Sequence, residues 1–161
     1  MVFIHLLIIY ACYQSKSDLT MDPSVILQLD KYQKKRYVFK SCMREWIIVL
    51  KKVRGTKTNE KRDSVIDKNF ASFRANKLKV IDIIHKFDKK KKINKSRSSW
   101  SEEIEYEKGC VIKSCEIKTG ITGNVECNHV YDKDINNVYS LGIHYFLTYW
   151  SAYHCELMPE L

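Results

Sequence analysis

The chain has 161 residues, which is enough for one compact domain with its own core. Its apolar share of 45% and aromatic share of 12% exclude a fully disordered chain. Two prolines and five glycines exclude collagen-like and proline-rich linker proteins. The net charge of +9 is compatible with an anionic partner, and the chain shows no repeat of fixed period.

The charge is unevenly distributed along the chain. Residues 31–97 carry 23 Lys and Arg against 6 Asp and Glu, whereas residues 98–161 carry 4 against 10. One interpretation is that the basic segment binds nucleic acid, anionic lipid or an acidic protein. Two others are that the segments attract each other within the fold, and that AT-rich codons supply the lysines. We favour these two, because charge alone is not a binding motif.

The N-terminal segment, residues 1–21, begins with an apolar run from Val2 to Tyr13 that only His5 interrupts. The run is shorter than the roughly 20 residues that a membrane-spanning helix needs, so we expect no transmembrane span. Secretion is not favoured, because no Lys or Arg precedes the run and the small residues of a cleavage site are poorly placed. We expect either a packed extension or translation from Met21.

Residues 22–45 are predicted to form an N-terminal helix and a lead-in. Asp22-Pro23-Ser24 is typical of a helix start, and the apolar side chains that follow have helical spacing, which predicts a helix over about residues 23–35. The run from Trp46 to Leu50 is β-branched and aromatic and predicts a buried strand. Arg54 to Asp63 contains turn residues and predicts a polar loop.

The next stretch, "LKVIDIIHKF", has helical spacing but a high density of Val and Ile, so we predict a strand over residues 78–87. A basic loop over residues 89–97 follows, and we expect it to be solvated and mobile. Its cationic residues are Lys89, Lys90, Lys91, Lys92, Lys95 and Arg97.

The C-terminal part is predicted to add two strands and a helix. In "EEIEYEKGCVIK", residues 102–113, an extended chain places Ile104, Tyr106, Cys110 and Ile112 on one face.

Gly109 is typical of a bulge or turn within that strand, and residues 113–137 are predicted to be an irregular connection. Gly142 to Leu147 predicts a strand, and Thr148 is placed to cap a final helix. Together the elements predict a small single α+β domain with a mixed or antiparallel sheet and a few helices.

Six cysteines occur, and we expect reduced thiols because disulfide frameworks are typical of smaller, loop-rich secreted chains. The tightest cluster has the pattern C-x4-C-x11-C-x-H and consists of Cys110, Cys115, Cys127 and His129. Structural zinc sites usually present two close ligand pairs, and C-x-H is too short to wrap one metal comfortably. Zinc is therefore the less favoured interpretation, and we expect neither a metal nor another cofactor.

Three separated stretches resemble a known family. They are "WIIVLKKVRGTKTNEKRDSVIDKNFASFRANKLKVIDIIHKFD", "IEYEKGCVI" and "NNVYSLGIHYFLTYWSAY". Together they resemble an uncharacterised domain found in many paralogues of Mimivirus-type giant DNA viruses, often next to MORN-like or other repeats. The resemblance covers roughly residues 46–155, and we assign residues 46–161 to this domain. It implies a viral protein of the host cytoplasm or the virion, and it implies no activity.

The most recognisable positions of the resemblance are Thr58-Asn59-Glu60, Arg62, Val65, Asp67, Phe73-Arg74-Ala75, Lys108-Gly109 and Gly142-Ile143-His144. The chain departs from the family at Tyr139, where a Cys is usual. Its connection over residues 113–130 is also longer and carries Cys115, Cys127 and His129, which weakens the zinc interpretation further.

His144 is the first candidate for chemistry. In a strand it shares a face with Phe146 and Thr148, while Ile143 and Tyr145 point to the core. A lone histidine is more often a structural group that bonds a backbone carbonyl than a general base.

A faint likeness to ADP-ribosyltransferase-like strands implies an alternative, in which His144 and Tyr145 touch a dinucleotide, Arg74 meets phosphate and Glu60 stabilises an oxocarbenium-like centre. The other interpretation is structural: Glu60 pairs with Arg62, and Arg74 with Asp67. The common motifs of nucleotide-binding P-loops, zinc proteases and serine hydrolases do not occur.

We therefore expect a non-enzymatic accessory or protein-interaction domain that binds a viral or host protein. The first alternative is a nucleotide-binding or ADP-ribosyltransferase-like enzyme, or a degenerate relative of one. The second is nonspecific nucleic-acid binding through the basic loop over residues 89–97.

Overall fold

A computed structural model of the chain describes residues 21–98, 104–114, 131–138 and 140–155. These residues form two helices and eight strands, which confirms the predicted α+β class. The helices are α1 (Pro23–Asp30) and α2 (Tyr149–His154). The strands are β1 (Tyr37–Cys42), β2 (Trp46–Lys51), β3 (Ser72–Ala75), β4 (Lys77–His85), β5 (Lys95–Arg97), β6 (Glu105–Glu107), β7 (Val111–Lys113) and β8 (Ile143–Phe146).

Six strands form one antiparallel sheet in the order β3-β8-β1-β2-β4-β7. β5 and β6 form a separate two-stranded sheet. β1 and β2 are joined by a tight turn in which Met43 and Arg44 both have positive φ values, +50° and +61°. Since β1 lies between β8 and β2, residues 22–45 belong to the same domain as the rest of the described chain.

The six-stranded sheet is strongly curled. Only Asn76 separates β3 from β4, yet three other strands lie between them in the sheet. In a flat sheet these two strands would be about 19 Å apart, at about 4.8 Å per strand. Two residue steps of an extended chain span only about 7 Å. The end of β3 and the start of β4 therefore meet at one corner, and the sheet folds over as part of a barrel does.

Each face of the sheet is covered by a separate apolar core. The inner core takes residues from every strand of the curl and is covered by Ile104 and Tyr106 of the β5–β6 sheet. The outer core lies between the sheet and the helices, and includes Leu29 of α1 and Tyr153 of α2. Because both faces of β2 are buried, its sequence is a continuous apolar run without alternation.

The predicted strands over residues 46–50, 78–87 and 142–147 are confirmed as β2, β4 and β8. The predicted cap is also confirmed, since Thr148 Oγ1 accepts from Ser151 N at 3.3 Å. The helix predicted over residues 23–35 ends earlier, at Asp30. In the turn that follows, the hydrogen bonds are of the 3₁₀ type: Tyr32 N donates to the carbonyl of Leu29 at 2.9 Å.

The predicted basic loop over residues 89–97 is only partly a loop. Its last three residues form β5, which pairs in register with the acidic strand β6. Lys95 Nζ lies 3.2 Å from Glu107 and 3.6 Å from Glu105, and the hydrogen bond to Glu107 is the main cause of the raised pKa of Lys95. The basic and acidic segments of the sequence therefore attract each other here, within the fold.

The single amphipathic strand predicted over residues 102–113 is two strands in two different sheets. The chain turns at Gly109, whose φ of +90° favours glycine. Ile104 and Tyr106 are buried as predicted, whereas Cys110 is exposed because it lies in that turn. Across the described residues, no helix is long and apolar enough to cross a membrane. The apolar run from Val2 to Tyr13 lies outside the described residues.

Candidate functional site

The candidate residues lie around β8, which is the second strand of the sheet. β8 pairs with the edge strand β3, so that Arg74 lies directly opposite His144. Their side chains share the outer face, since Ile143 and Tyr145 belong to the inner core. The sheet therefore brings two of the three predicted residues together.

Arg74 is fully buried, and its guanidinium is surrounded by backbone carbonyls. Nε donates to the carbonyl of Asn137 (3.0 Å), Nη1 to those of Asp132 (2.6 Å) and Leu141 (3.3 Å), and Nη2 to those of Asn137 (2.7 Å) and Asp134. Because a guanidinium has five N–H donors, these contacts use all of them. In this arrangement Arg74 has no donor left for a phosphate, and it does not pair with Asp67.

The loop that surrounds Arg74 is ordered by its own side chains. Asp132 Oδ1 accepts from Asp134 N at 2.8 Å, and Asp132 Oδ2 accepts from Asn137 Nδ2 at 3.0 Å and Ser140 Oγ at 2.5 Å. The bond from Ser140 is the main cause of the lowered pKa of Asp132. The loop's carbonyls converge on a cation, and that cation is the Arg74 guanidinium.

Gly142 allows β8 to approach this arginine. Its φ is +147°, a conformation that residues with a side chain rarely adopt. An added Cβ would lie 3.2 Å from the ring of Tyr131, 3.3 Å from Arg74 Cβ and 3.4 Å from the carbonyl oxygen of Ala75. The glycine of the Gly-Ile-His stretch is therefore required by both the backbone conformation and the space.

His144 holds the same loop from the other side. Its Nε2 lies 2.8 Å from the carbonyl oxygen of Ser140, so the neutral ring donates from Nε2. Burial lowers the pKa of His144 most strongly, and the charges of Lys40 and Arg74 add to that effect against the hydrogen bond to Ser140. The structural interpretation of this histidine is the one that the geometry favours.

Glu60 lies on the opposite side of β8. It accepts from Tyr145 Oη at 2.6 Å and contacts Lys52 Nζ. Burial raises the pKa of Tyr145 far above its usual value, with a further contribution from the Glu60 charge. Since Tyr145 points into the inner core and His144 does not, Glu60 does not converge with His144 and Arg74 on one pocket.

The predicted Glu60–Arg62 ion pair is replaced by other contacts. Arg62 Nη1 donates to the carbonyl of Ser72 at 2.9 Å, and its guanidinium lies 4.8 Å from the centre of the Phe73 ring. Asp67 Oδ1 accepts from Asn69 N at 2.8 Å and so shapes its own loop. Arg62 therefore supports β3, and Asp67 shapes the loop that precedes it.

The predicted zinc cluster falls mostly outside the described residues, since Cys115, Cys127 and His129 all lie there. Cys110 is exposed. Within residues 21–98, 104–114, 131–138 and 140–155, no group of three or more His, Cys, Asp or Glu side chains is placed to hold a metal ion. Of the predicted basic residues, Lys89 to Lys92 are exposed, as is Arg97 of β5.

Two surface features were missed by the sequence analysis. One is an open groove of about 460 Å³ lined by Lys34, Lys35, Arg36 and Lys52. The other is a pair of exposed large apolar side chains, Ile66 and Phe70. The groove was detectable in principle, because antiparallel pairing of the runs "KKRY" and "LKK" places their cations side by side.

No protein-family model, no curated protein and no solved structure matches the chain. The resemblance to a giant-virus domain therefore stays a prediction. Function has to be inferred from the surfaces that the fold presents.

Proposed function

We propose that the chain is a non-enzymatic protein-interaction domain, an accessory protein of the giant-virus type that its sequence resembles. The observation that carries the proposal is the exposure of Ile66 (87%) and Phe70 (72%) in the loop over residues 63–70. Large apolar side chains on an ordered surface are typical of protein-binding sites, and a few such side chains supply most of the binding free energy.

The loop over residues 63–70 is held in place before any partner arrives. The carbonyl oxygen of Asn69 accepts from Thr148 Oγ1 at 3.2 Å and from Ser151 Oγ. The carbonyl of Asp67 accepts from Ala71 N at 3.0 Å. Because these bonds fix the loop against the start of α2, little conformational entropy is lost on binding.

The surroundings of the loop match the anatomy of a protein interface. Trp150 of α2 is 40% exposed and lies one residue from Ser151, which bonds the loop. Asp63 and Lys68 of the loop and the preceding Lys61 are exposed as well. Exposed apolar and aromatic side chains accompanied by exposed charges are typical of non-obligate interfaces, and we infer a protein partner with a complementary apolar patch.

The positions of the candidate catalytic residues also support a non-enzymatic role. The donors of Arg74 are used by carbonyls, His144 bonds the carbonyl of Ser140, and Glu60 lies on the other side of β8. An active site requires its groups to converge on one concave pocket.

The test is retention of a partner from a lysate of giant-virus-infected cells on the immobilised full chain. We expect the I66S/F70S double variant to lose a specific partner, and the matched variant Leu27→Ser to keep it, since Leu27 is 73% exposed on α1. Calorimetry with the purified partner should show at least about tenfold weaker binding for the double variant, as for loss of an interface hot spot. Equal retention by the wild type and the double variant would contradict the proposal.

The enzyme alternative has its own measurement. The chain is incubated with NAD at millimolar concentration, and the nucleotide products are separated by chromatography. We expect no turnover. Turnover that the substitution Glu60→Gln abolishes would establish an enzyme and overturn the non-enzymatic role.

A further inference from the structure

The open end of the β1–β2 hairpin concentrates positive charge. Tyr37 pairs with Lys51, and the backbone N–H of Lys52 donates to the carbonyl of Arg36 at 2.9 Å. The basic run that precedes β1 therefore lies beside the basic pair that ends β2. Neither run alone is a binding motif, but the register makes them one surface.

This surface forms a shallow, open groove. The groove of about 460 Å³ is lined by Lys34, Lys35, Arg36 and Lys52. The first three side chains are exposed, and Lys52 is half-buried. Among the described carboxylates, Glu60 is the one in contact with a lining cation, through Lys52. The groove therefore keeps a positive potential.

The walls of the groove are fixed in position. The turn before β1 is closed by backbone bonds from Lys34 N to the carbonyl of Tyr32 (2.6 Å) and from Tyr37 N to the carbonyl of Lys34 (2.8 Å). Lys52 is held by Glu60, which in turn accepts from the buried Tyr145 at 2.6 Å. Because folding already fixes the backbone of these residues, less conformational entropy is lost when they bind a ligand.

Two aromatic rings lie on the helix-covered face near the same hairpin end, where they pack against the outer core. Tyr32 and Tyr37 are half-buried and contact edge to face, with their centroids 5.4 Å apart. Lys31 Nζ lies 4.7 Å from the Tyr32 ring, and Lys51 Nζ lies 6.0 Å from the Tyr37 ring. Lys31 and Lys51 do not line the groove, so these two rings are not part of its binding surface.

We infer that the groove at the open end of the β1–β2 hairpin binds nucleic acid through its phosphodiester backbone. Lys34, Lys35 and Arg36 contact successive phosphates. Binding is tolerant of sequence, because backbone contacts carry no base information. The surface is separate from the loop over residues 63–70 and from the predicted basic loop over residues 89–97.

The experiment measures binding of the full chain to a fluorescein-labelled oligothymidine by anisotropy, over a range of salt concentrations. Two variants each lose three cations: K34Q/K35Q/R36Q in the groove and K89Q/K90Q/K91Q in the basic loop. All six side chains are exposed, so both variants are expected to fold, and circular dichroism checks this. The wild type should show a slope of log affinity against log salt of about −2 to −3, from three to four phosphate contacts.

We expect the groove variant to bind at least about tenfold more weakly at roughly 50 mM salt and to lose about 2 from the salt slope. The loop variant should stay within about twofold of the wild type, since its lysines lie outside the groove. The I66S/F70S variant should also bind normally, which separates this inference from the proposed function.

Several outcomes would overturn the inference. Equal losses in the groove and loop variants would show that binding follows net charge, and a loss in the loop variant alone would place the site at residues 89–92. Absence of binding by the wild type would remove the site. Groove-dependent binding of phosphatidylserine vesicles or of inorganic phosphate without oligonucleotide binding would identify a different ligand.

Discussion

Two regions of the molecule use the same kind of side chain in opposite ways. Where β3 pairs with β8, the guanidinium of Arg74 is fully buried and all its donors bond backbone carbonyls. At the open end of the β1–β2 hairpin, Arg36 is exposed beside Lys34 and Lys35 in a groove. The first cation is enclosed by the protein, whereas the second faces water.

The difference shows that the surroundings of a cationic side chain, rather than its residue type, decide whether it stabilises the fold or stays available for a ligand. A charge that leaves water must be compensated by hydrogen bonds, so Arg74 stabilises the loop of residues 132–138 and 140–141 and has no donor left for a ligand. An exposed charge contributes little to folding and stays available for phosphates. Substitutions in the two regions should therefore have opposite effects on stability and binding.

The largest effect is expected for Arg74→Ala. It removes a fully buried side chain and leaves four backbone carbonyls without their donors, so we expect the free energy of unfolding to fall by about 3–5 kcal/mol. The matched variant Arg36→Ala removes an exposed cation and should change it by less than about 0.5 kcal/mol. Urea denaturation of both variants measures the contrast.

Equal stability of Arg74→Ala and Arg36→Ala would contradict this prediction. Should Arg74→Ala not fold at all, Arg74→Lys keeps the charge but has three donors in place of five. We expect that variant to fold and to remain measurably less stable than the wild type.

Gly142→Ala tests the approach of β8 to the same arginine. The φ of +147° and contacts of 3.2–3.4 Å should together cost about 1–3 kcal/mol of stability. The control is Gly109→Ala, where φ is also positive but nothing lies within 4 Å of the added Cβ. Gly142→Ala should therefore be the less stable variant by urea denaturation, and the reverse order would show that space around Gly142 does not matter.

Much of the fold was predictable, because β2, β4, β8 and the Thr148 cap are encoded in short stretches. The run from Trp46 to Leu50 is continuously apolar, and Thr148 precedes its helix directly. β1 and β3 were missed because Lys40 and Arg74 interrupt them, and both are buried only by distant partners. From the sequence alone, a buried cation in a strand cannot be distinguished from an exposed one, because its partners lie far away in the chain.

The candidate site was less predictable than the fold. The structural interpretation of His144 came from the usual behaviour of a lone histidine, and the bond to Ser140 fits it. The role of Arg74 depends on carbonyls about sixty residues away in the chain, which side-chain patterns do not encode. The basic groove likewise depends on the register of β1 and β2.

Tyr145→Phe tests whether Glu60 is a structural group. The substitution removes the 2.6 Å hydrogen bond to a carboxylate, so we expect a loss of about 1–2 kcal/mol of stability. A double-mutant cycle with Glu60→Gln, followed by urea denaturation, should give a coupling energy of at least about 0.5 kcal/mol. Additive effects would mean that the two groups do not act together, and would reopen other roles for Glu60.

The smallest effect is expected from the titration of His144. Burial lowers the pKa of His144 below its ordinary value, so the unfolded chain takes up this proton at a higher pH than the folded chain. Stability should therefore decrease as the pH falls below about 6.5 towards the folded-state value, and the substitution His144→Gln should flatten this decrease.

A proton NMR titration of the ring reports this pKa directly, and a value above the ordinary one would contradict the buried, neutral state. Burial also lowers the pKa of His154. The substitution His154→Gln should therefore remove a separate part of the decrease of stability with falling pH. The side chains that line the groove are lysines and an arginine, not histidines. Oligonucleotide binding should therefore remain constant while stability falls, since the buried histidine and the exposed cations belong to separate regions.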